Sequence, residues 1–341
     1  MVRKHLHSTR EIGIDLGTSN TLIYVKGKGI ISNEPSVVSF EPVTGEIFAV
    51  GEKAEKMIGR THQKIIAVRP IKNGIIDDFE ATKEMLKHFL HRVLKGQPLV
   101  KPNVLVSSPL GITQIEKRAI LEVCKQAGAQ DVALIMEPVA AALGANLPVE
   151  EPHGNMVVNI GGGTSEVAII SLGGIVVGRT LRAGGNTLNQ AIIRGIRKAY
   201  NMEIGEQTAE ELKKEAGYAI APPAEKKYAL KGKNIATGLP MILEIELQVL
   251  TEFLLEPLRA LVDTIANTLE KTPPELASDI LQMGITLAGG GALLKNLDQL
   301  ISTKSKVPIR LAADPLNAVA LGIGRVIEDK NLYQKLIIAQ L

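Results

Sequence analysis

The sequence predicts an α/β protein made of two related halves. Three observations carry that expectation. Two stretches, "IGIDLGTSNTLIYV" (12–25) and "VVNIGGGTSEVAII" (157–170), share one plan: apolar strand, polar residue, Gly-rich turn with hydroxyls, second strand. A third glycine cluster, Gly289-Gly290-Gly291, stands between the apolar run Ile285–Ala288 and a helical pattern. The bulk properties agree, because 341 residues allow about two domains. A chain that is 45% apolar and 22% charged can build the cores both would need.

Taken in chain order, the first hairpin is read from β-branched runs around the short turn Gly17-Thr18-Ser19-Asn20. Asp15 ends its first strand, where an unpaired carboxylate is costly, so a hydrated Mg²⁺ beside polyphosphate is its expected partner. Next, "ITQIEKRAILEVCKQAGA" (112–129) repeats apolar residues at helical spacing and ends in a glycine cap. "EPVAAALGANL" is a small-residue helix with Pro138 at its first position. Its acid, Glu137, either caps the helix or serves a cleft. The second hairpin turns through Gly161-Gly162-Gly163-Thr164-Ser165, with Asn159 where the first has Asp15. A long helix follows from about Glu246 to Leu269, stopped by Pro273-Pro274. The third cluster reads as strand, glycines and helix N-terminus, an arrangement that suits phosphate or a nucleoside.

Loops of this kind bind anions. Glycine lets the backbone approach closely, so that successive N–H groups point at phosphate oxygens. The hydroxyls of Thr18, Ser19, Thr164 and Ser165 can add donors. Plain tight hairpins remain the alternative, but duplication argues against it.

Other classes are excluded by composition. Thirty-nine basic and 36 acidic side chains leave a net charge of +3, too balanced to point to nucleic acid. A single cysteine, Cys124, rules out a disulfide framework and reads as a small hydrophobe on a helix. No apolar run approaches the ~20 residues of a membrane span. The start, "MVRKHLHSTR", lacks the apolar region of a signal peptide, and cytoplasmic placement is expected.

These elements together resemble the actin-like ATPase superfamily, and within it the bacterial shape-determining MreB/Mbl family. The resemblance runs through "IGIDLGTSNTLIYVKGKGIISNEPSVV" (12–38), "AVRPIKNGIIDDFEATKEMLKHFL" (67–90) and "GITQIEKRAILE" (111–122). It continues through "EPVAAALGANLPVEEPHGNMVVNIGGGTSEVAIISLG" (137–173), "IGEQTAEELK" (204–213), "LEKTPPELASDIL" (269–281) and "GGGALLKNLDQLI" (289–301). It implies a duplicated actin-like, ribonuclease H-like α/β ATPase fold, two domains of two subdomains around a nucleotide cleft. Domain I would span 1–145, with its smaller subdomain at 33–74, and domain II 146–341. Domain II would divide into 146–180 with 255–330, and 181–250.

The resemblance also implies ATP and Mg²⁺ as ligands. Asp15, Gly17, Thr18, Ser19 and Asn20 would form the first phosphate loop, and Asn159 through Thr164, with Gly161, Gly162 and Gly163, the second. Asp15 and Asn159 would face the metal. Gly289, Gly290 and Gly291 would lie against the nucleoside, with Glu210 and Lys213 gripping adenine and ribose; Lys213 and Lys214 read equally as solvated helix charges. Glu137 would orient the attacking water, helped by Thr164.

Most of the family carries Asp where this chain has Asn159. Asn keeps the shape and one acceptor but loses the charge and gains an NH₂ donor. Slower ATP hydrolysis is expected, and Met136 and Ala288 are lesser departures that fit. Expected partners are other copies of the chain in filaments, MreB-family paralogues, the inner membrane surface and membrane-embedded wall-synthesis proteins, with no nucleic acid. Leu99 and Val100, flanked by Lys95 and Lys101, either form a membrane tip or simply start the strand "PLVKPNVLVSS". Two other functions compete. A small-molecule kinase would need a further acid in the second loop, and a scaffold would bind ATP, hydrolyse little and co-assemble with an active paralogue.

Overall fold

The computed structural model describes residues 10–62, 64–94, 101–220, 222 and 226–341. The expected membrane tip at Leu99 and Val100 and the basic start of the chain lie outside them. Contacts divide the chain into two units, Met1–Gly144 with Val319–Leu341, and Ala145–Ala318.

In the first unit a six-stranded sheet is ordered Ile337–Gln340, Asp131–Met136, Asn103–Ser108, Glu11–Leu16, Asn20–Val25 and Gly29–Pro35. Glu11–Leu16, Asn103–Ser108 and Asp131–Met136 run parallel. The two strands after Glu11–Leu16 form an antiparallel meander with it. Ile12, Ile14, Leu16, Val104, Val106, Val132 and Leu134 bury one face against the helices Phe79–Val93 and Gln114–Gln126. Thr113 and Glu116 close a capping box that starts the second of these helices. Cys124 sits in this core, and burial pushes its thiol up to about 12, as befits a hydrophobe rather than a nucleophile.

The second unit repeats the plan. Its five-stranded sheet is ordered Gly174–Leu181, Ser165–Ser171, Asn155–Ile160, Ile285–Ala288 and Ile309–Leu311. An antiparallel meander again precedes strands that run parallel to its first member. Met156, Val158, Ile160, Val167 and Ile169 pack on the helices Gly185–Tyr200 and Leu247–Leu269. Each unit also carries a separate three-stranded sheet, formed by Val38–Phe40, Ile47–Val50 and Ile66–Val68 in the first. In the second it is formed by Met202–Glu203, Lys227–Asn234 and Pro240–Glu246.

One boundary differs from expectation. The sequence places the last residues in the second half, 146–341, whereas the contacts of Val319–Leu341 group it with the first unit. Ile337–Gln340 completes the edge of the first sheet beside Asp131–Met136. The helix Ala318–Glu328 seats glycines on that sheet's far side. A Cβ at Gly322 would fall 1.8 Å from the Ala140 carbonyl oxygen, and one at Gly324 would fall 2.4 Å from the Tyr24 ring. Only glycine permits that approach.

Candidate functional site

Within the first unit, the parallel strands deliver their functional residues to one end. Glu11–Leu16 runs into the turn Gly17-Thr18-Ser19, Asn103–Ser108 ends on its two serines, and Asp131–Met136 passes directly into the helix Glu137–Gly144. Carboxyl ends of parallel strands are where α/β sheets bind ligands. The turn is closed by Gly17 N–H donating to the Asn20 carbonyl at 3.1 Å. A Cβ at Gly17 would lie 2.6 Å from that oxygen. Ser36 braces the loop from behind, its hydroxyl donating to the Gly17 carbonyl at 2.7 Å and its N–H to that of Ser19 at 2.8 Å. Thr18 Oγ1 accepts from Gly74 N–H at 3.0 Å, and Asn20 Nδ2 donates to Asn33 Oδ1 at 2.8 Å.

Asp15 stands just behind this turn. Ser107 Oγ donates to its Oδ1 at 3.1 Å, and Leu16 N–H donates to the same hydroxyl at 3.2 Å. A sliver of Asp15 surface reaches solvent, but the protein crowding it controls its charge. Burial pushes its carboxyl up to about 6 against the weaker pull of the Ser107 hydrogen bond. That environment fits the Mg²⁺ implied by the family resemblance. Among the described residues no three His, Cys, Asp or Glu gather to hold a metal by themselves. The donor set therefore suits an ion that keeps several waters and takes phosphate oxygens.

The second unit gathers more. Gly161 N–H donates to the Thr164 carbonyl at 2.8 Å, the counterpart of the first turn's closure. The Gly161 and Gly162 carbonyls accept from the N–H groups of Gly185 and Asn186 at 2.9 and 2.8 Å. The loop thus docks on the first turn of the helix Gly185–Tyr200. Gly184 must be glycine, since a Cβ would fall 2.4 Å from the Gly161 oxygen. Ser165 does not serve as a loop donor, because its hydroxyl donates to the Ala183 carbonyl at 2.7 Å.

Glu210 and Lys213 come to the same helix end. Lys213 Nζ donates to the Gly185 carbonyl at 3.1 Å and to Glu210 Oε2 at 2.7 Å, and Asn189 Nδ2 donates to that oxygen at 2.7 Å. Lys214 pairs with Oε1 at 3.2 Å. Burial raises the Glu210 carboxyl, but the Lys213 charge and these hydrogen bonds outweigh it and hold it at about 2. Both side chains are therefore already committed to each other, and Lys213 is not a freely solvated helix charge.

The third cluster follows Ile285–Ala288, but the expected helix does not start there. A 3₁₀ turn, Gly290–Leu293, intervenes, and the helix begins at Leu297. Gly289 and Gly291 are required by packing on Ile160, whose carbonyl oxygen lies 2.3 Å from a Cβ built at Gly289 and whose Cγ2 lies 2.2 Å from one at Gly291. Gly289 also has φ +80. Gly289→Ala should cost about 2–4 kcal/mol through strain and a backbone clash. Denaturant unfolding checks it, and a loss below about 0.5 kcal/mol would refute the packing account.

The register shows a residue that sequence reasoning passed over. In the first sheet one transverse row reads Ser107, Asp15, Leu22, Asn33. In the second the matching row reads Ala288, Asn159, Glu166, Thr180. Val158 and Val167 face the core, so alternation puts Asn159 and Glu166 together on the opposite face. Asn159 is 2% exposed and Glu166 0%. The only signal in the sequence was one acid inside the apolar run "SEVAIIS".

Comparison with known proteins agrees with this architecture. The family model described as MreB/Mbl protein matches residues 9–335. The cell shape-determining protein MreB of Escherichia coli K12 is 47% identical over 325 residues, covering 94% of each chain. The cell shape-determining protein Mbl of Bacillus subtilis 168 is 41% identical over 326 residues, 96% of this chain and 98% of that one. Crystal structures of MreB5 of Spiroplasma citri bound to ADP and to AMPPNP match with TM-score 0.90 at 38% identity, over 96% of this chain and 98% of theirs. The MamK double helical filament, 20% identical with TM-score 0.79 over 94% of this chain and 99% of its own, shares the actin-like fold. On sequence and fold alike, the chain belongs to the MreB/Mbl family of actin-like, cell shape-determining proteins.

Proposed function

We propose that this chain binds ATP with Mg²⁺, assembles with itself into filaments, and helps control cell shape at the inner membrane face. The observation that carries the reading is the repeated hairpin, whose glycine turn lies at the carboxyl end of the parallel strands in each unit. It is supported by 38% identity to MreB5 structures holding ADP and AMPPNP. In this reading Gly17 to Asn20 of the first unit and Gly161 to Thr164 of the second line the phosphates. Gly289 to Gly291 lie beside the nucleoside, with the Glu210–Lys213 pair at its adenine and ribose. Asp15 and Asn159 receive the hydrated cation, which when bound neutralises charge on the phosphates. Glu137, helped by Thr164, orients the attacking water. Paralogues of the family, the membrane surface and membrane-embedded wall-synthesis proteins are the proposed partners. No helix among the described residues is long and apolar enough to cross a membrane.

Sedimentation and electron microscopy with Mg-ATP, ADP and a non-hydrolysable analogue test the reading. Filaments in ATP support it, and no binding of labelled adenine nucleotide overturns it. Asn159 favours a second reading, a scaffold that binds ATP, turns it over little and co-assembles with an active paralogue. Phosphate release by Asn159→Asp should exceed that of the natural chain by about ten-fold, within the range of a positioned acid–base group. Equal rates would remove Asn159 as the cause of slow turnover.

A further inference from the structure

We infer that Ser107 is a positioning residue, whose hydroxyl fixes the Asp15 carboxylate behind the turn Gly17-Thr18-Ser19 and leaves one of its oxygens for a cation's water. For its effect on affinity the inference rests on the proposed nucleotide reading; the hydroxyl bridge itself does not.

Pairing between the parallel strands Glu11–Leu16 and Asn103–Ser108 runs from Glu11 opposite Asn103 to Ile14 opposite Val106. Past that point a side chain takes over. Leu16 N–H donates to Ser107 Oγ at 3.2 Å, and Ser107 Oγ donates to Asp15 Oδ1 at 3.1 Å. One hydroxyl thus joins the backbone entering the turn to the acid behind it. Ile14 and Val106 face the core, so alternation puts Asp15 and Ser107 together on the opposite face.

A serine hydroxyl rotates until its partners choose a direction. Here Leu16 N–H takes a lone pair and the proton goes to Oδ1, and bonds in such a chain strengthen one another. The last torsion of an aspartate is broad, so an unheld Asp15 would swing its two oxygens. With Oδ1 engaged, Oδ2 makes no hydrogen bond among the described residues, and Asp15 keeps its small patch of surface. Oδ2 is therefore the oxygen left for a water of the hydrated ion. Ser108 shows what a plain buried serine does in the same strand. Its Oγ donates only to the carbonyl of its chain neighbour Pro109, at 3.4 Å. Ser107, 3% exposed, directs its proton to a carboxylate instead.

The test uses Ser107→Ala in the natural chain and in the Asp15→Asn background. Titration with a fluorescent ATP analogue and Mg²⁺ should show affinity about ten-fold weaker in Ser107→Ala, the lower range for losing a group that orients a metal's shell. In EDTA the same analogue should bind within about two-fold of the natural chain, because the orienting bond then has no metal shell to serve. In the Asp15→Asn background, Ser107→Ala should change Mg-nucleotide affinity by less than about two-fold, because the carboxylate it holds is already gone. Equal losses with and without Mg²⁺, equal losses in both backgrounds, or no loss at all overturn the inference. A second readout needs no nucleotide. In the nucleotide-free chain the Leu16 amide should exchange its hydrogen about five-fold faster in Ser107→Ala, the scale of one lost hydrogen bond. Unchanged exchange would show that the bridge does not exist. Faster exchange in a chain that binds no nucleotide would defeat the nucleotide reading while the bridge stands. Should Ser107→Ala not fold, Ser107→Cys, which keeps the shape but donates weakly, carries the same comparisons.

Discussion

Asp15→Asn is expected to stabilise the nucleotide-free chain near pH 7.5 while weakening Mg-nucleotide binding by about 100-fold, the upper range for losing a residue that holds a metal's shell. Burial lifts the Asp15 carboxyl from an ordinary 3.8 to about 6. The folded state therefore holds this proton more tightly than the unfolded chain. Its contribution to stability is fully present below about pH 4 and is lost as the pH rises through about 6. Above that, the folded chain carries a charge that its surroundings oppose. A shift of about two units is worth about 3 kcal/mol, and the small solvent-facing patch of Asp15 lowers this to about 1–3 kcal/mol. Asn removes the charge and still accepts from Ser107. Urea unfolding at pH 7.5 and at pH 4 measures the gain, which should vanish at the lower pH. Titration with a fluorescent ATP analogue and Mg²⁺ measures the loss. A variant less stable at pH 7.5, or one that binds as tightly as the natural chain, would show that Asp15 is no cation site held at the expense of stability.

Much of this was legible beforehand, because period and punctuation are local signals. Alternating β-branched runs around Gly17 and Gly161 predicted the hairpins, and the helix expected from about Glu246 to Leu269 is observed at Leu247–Leu269. Whatever depends on register or long-range packing was not legible. Glu166 looks like one charged residue in a strand, and only its pairing with Asn159 gives it a place beside the second loop. The return of Val319–Leu341 to the first unit depends on Gly322 and Gly324 meeting Ala140 and Tyr24, contacts no local pattern announces. The third cluster shows the limit of the same signal. Gly289 and Gly291 pack against Ile160, which occupies the space their missing side chains would fill. Glycine spacing alone does not distinguish backbone approach to a ligand from backbone approach to the protein's own strand.

Glu137→Gln should leave nucleotide affinity within about three-fold and lower phosphate release by about 100-fold, the lower range for losing a positioned acid–base group. Its placement explains why the effect should separate so cleanly. The strand Asp131–Met136 ends opposite Ser108 and Glu137 opens the next helix without an intervening loop. Pro138 through Leu143 are all buried, so the backbone that carries Glu137 is anchored along the whole helix. Glu137 itself stays partly exposed at the sheet end where Gly17 to Ser19 turn. Gln keeps its length and an acceptor, and losing the acid from the first helical turn should cost only about 0.3–1 kcal/mol. Filaments formed in Mg-ATP should then persist in sedimentation time courses after those of the natural chain have decayed. If phosphate release and filament decay both match the natural chain, Glu137 does no more than start a helix, and the attacking water is oriented by some other group.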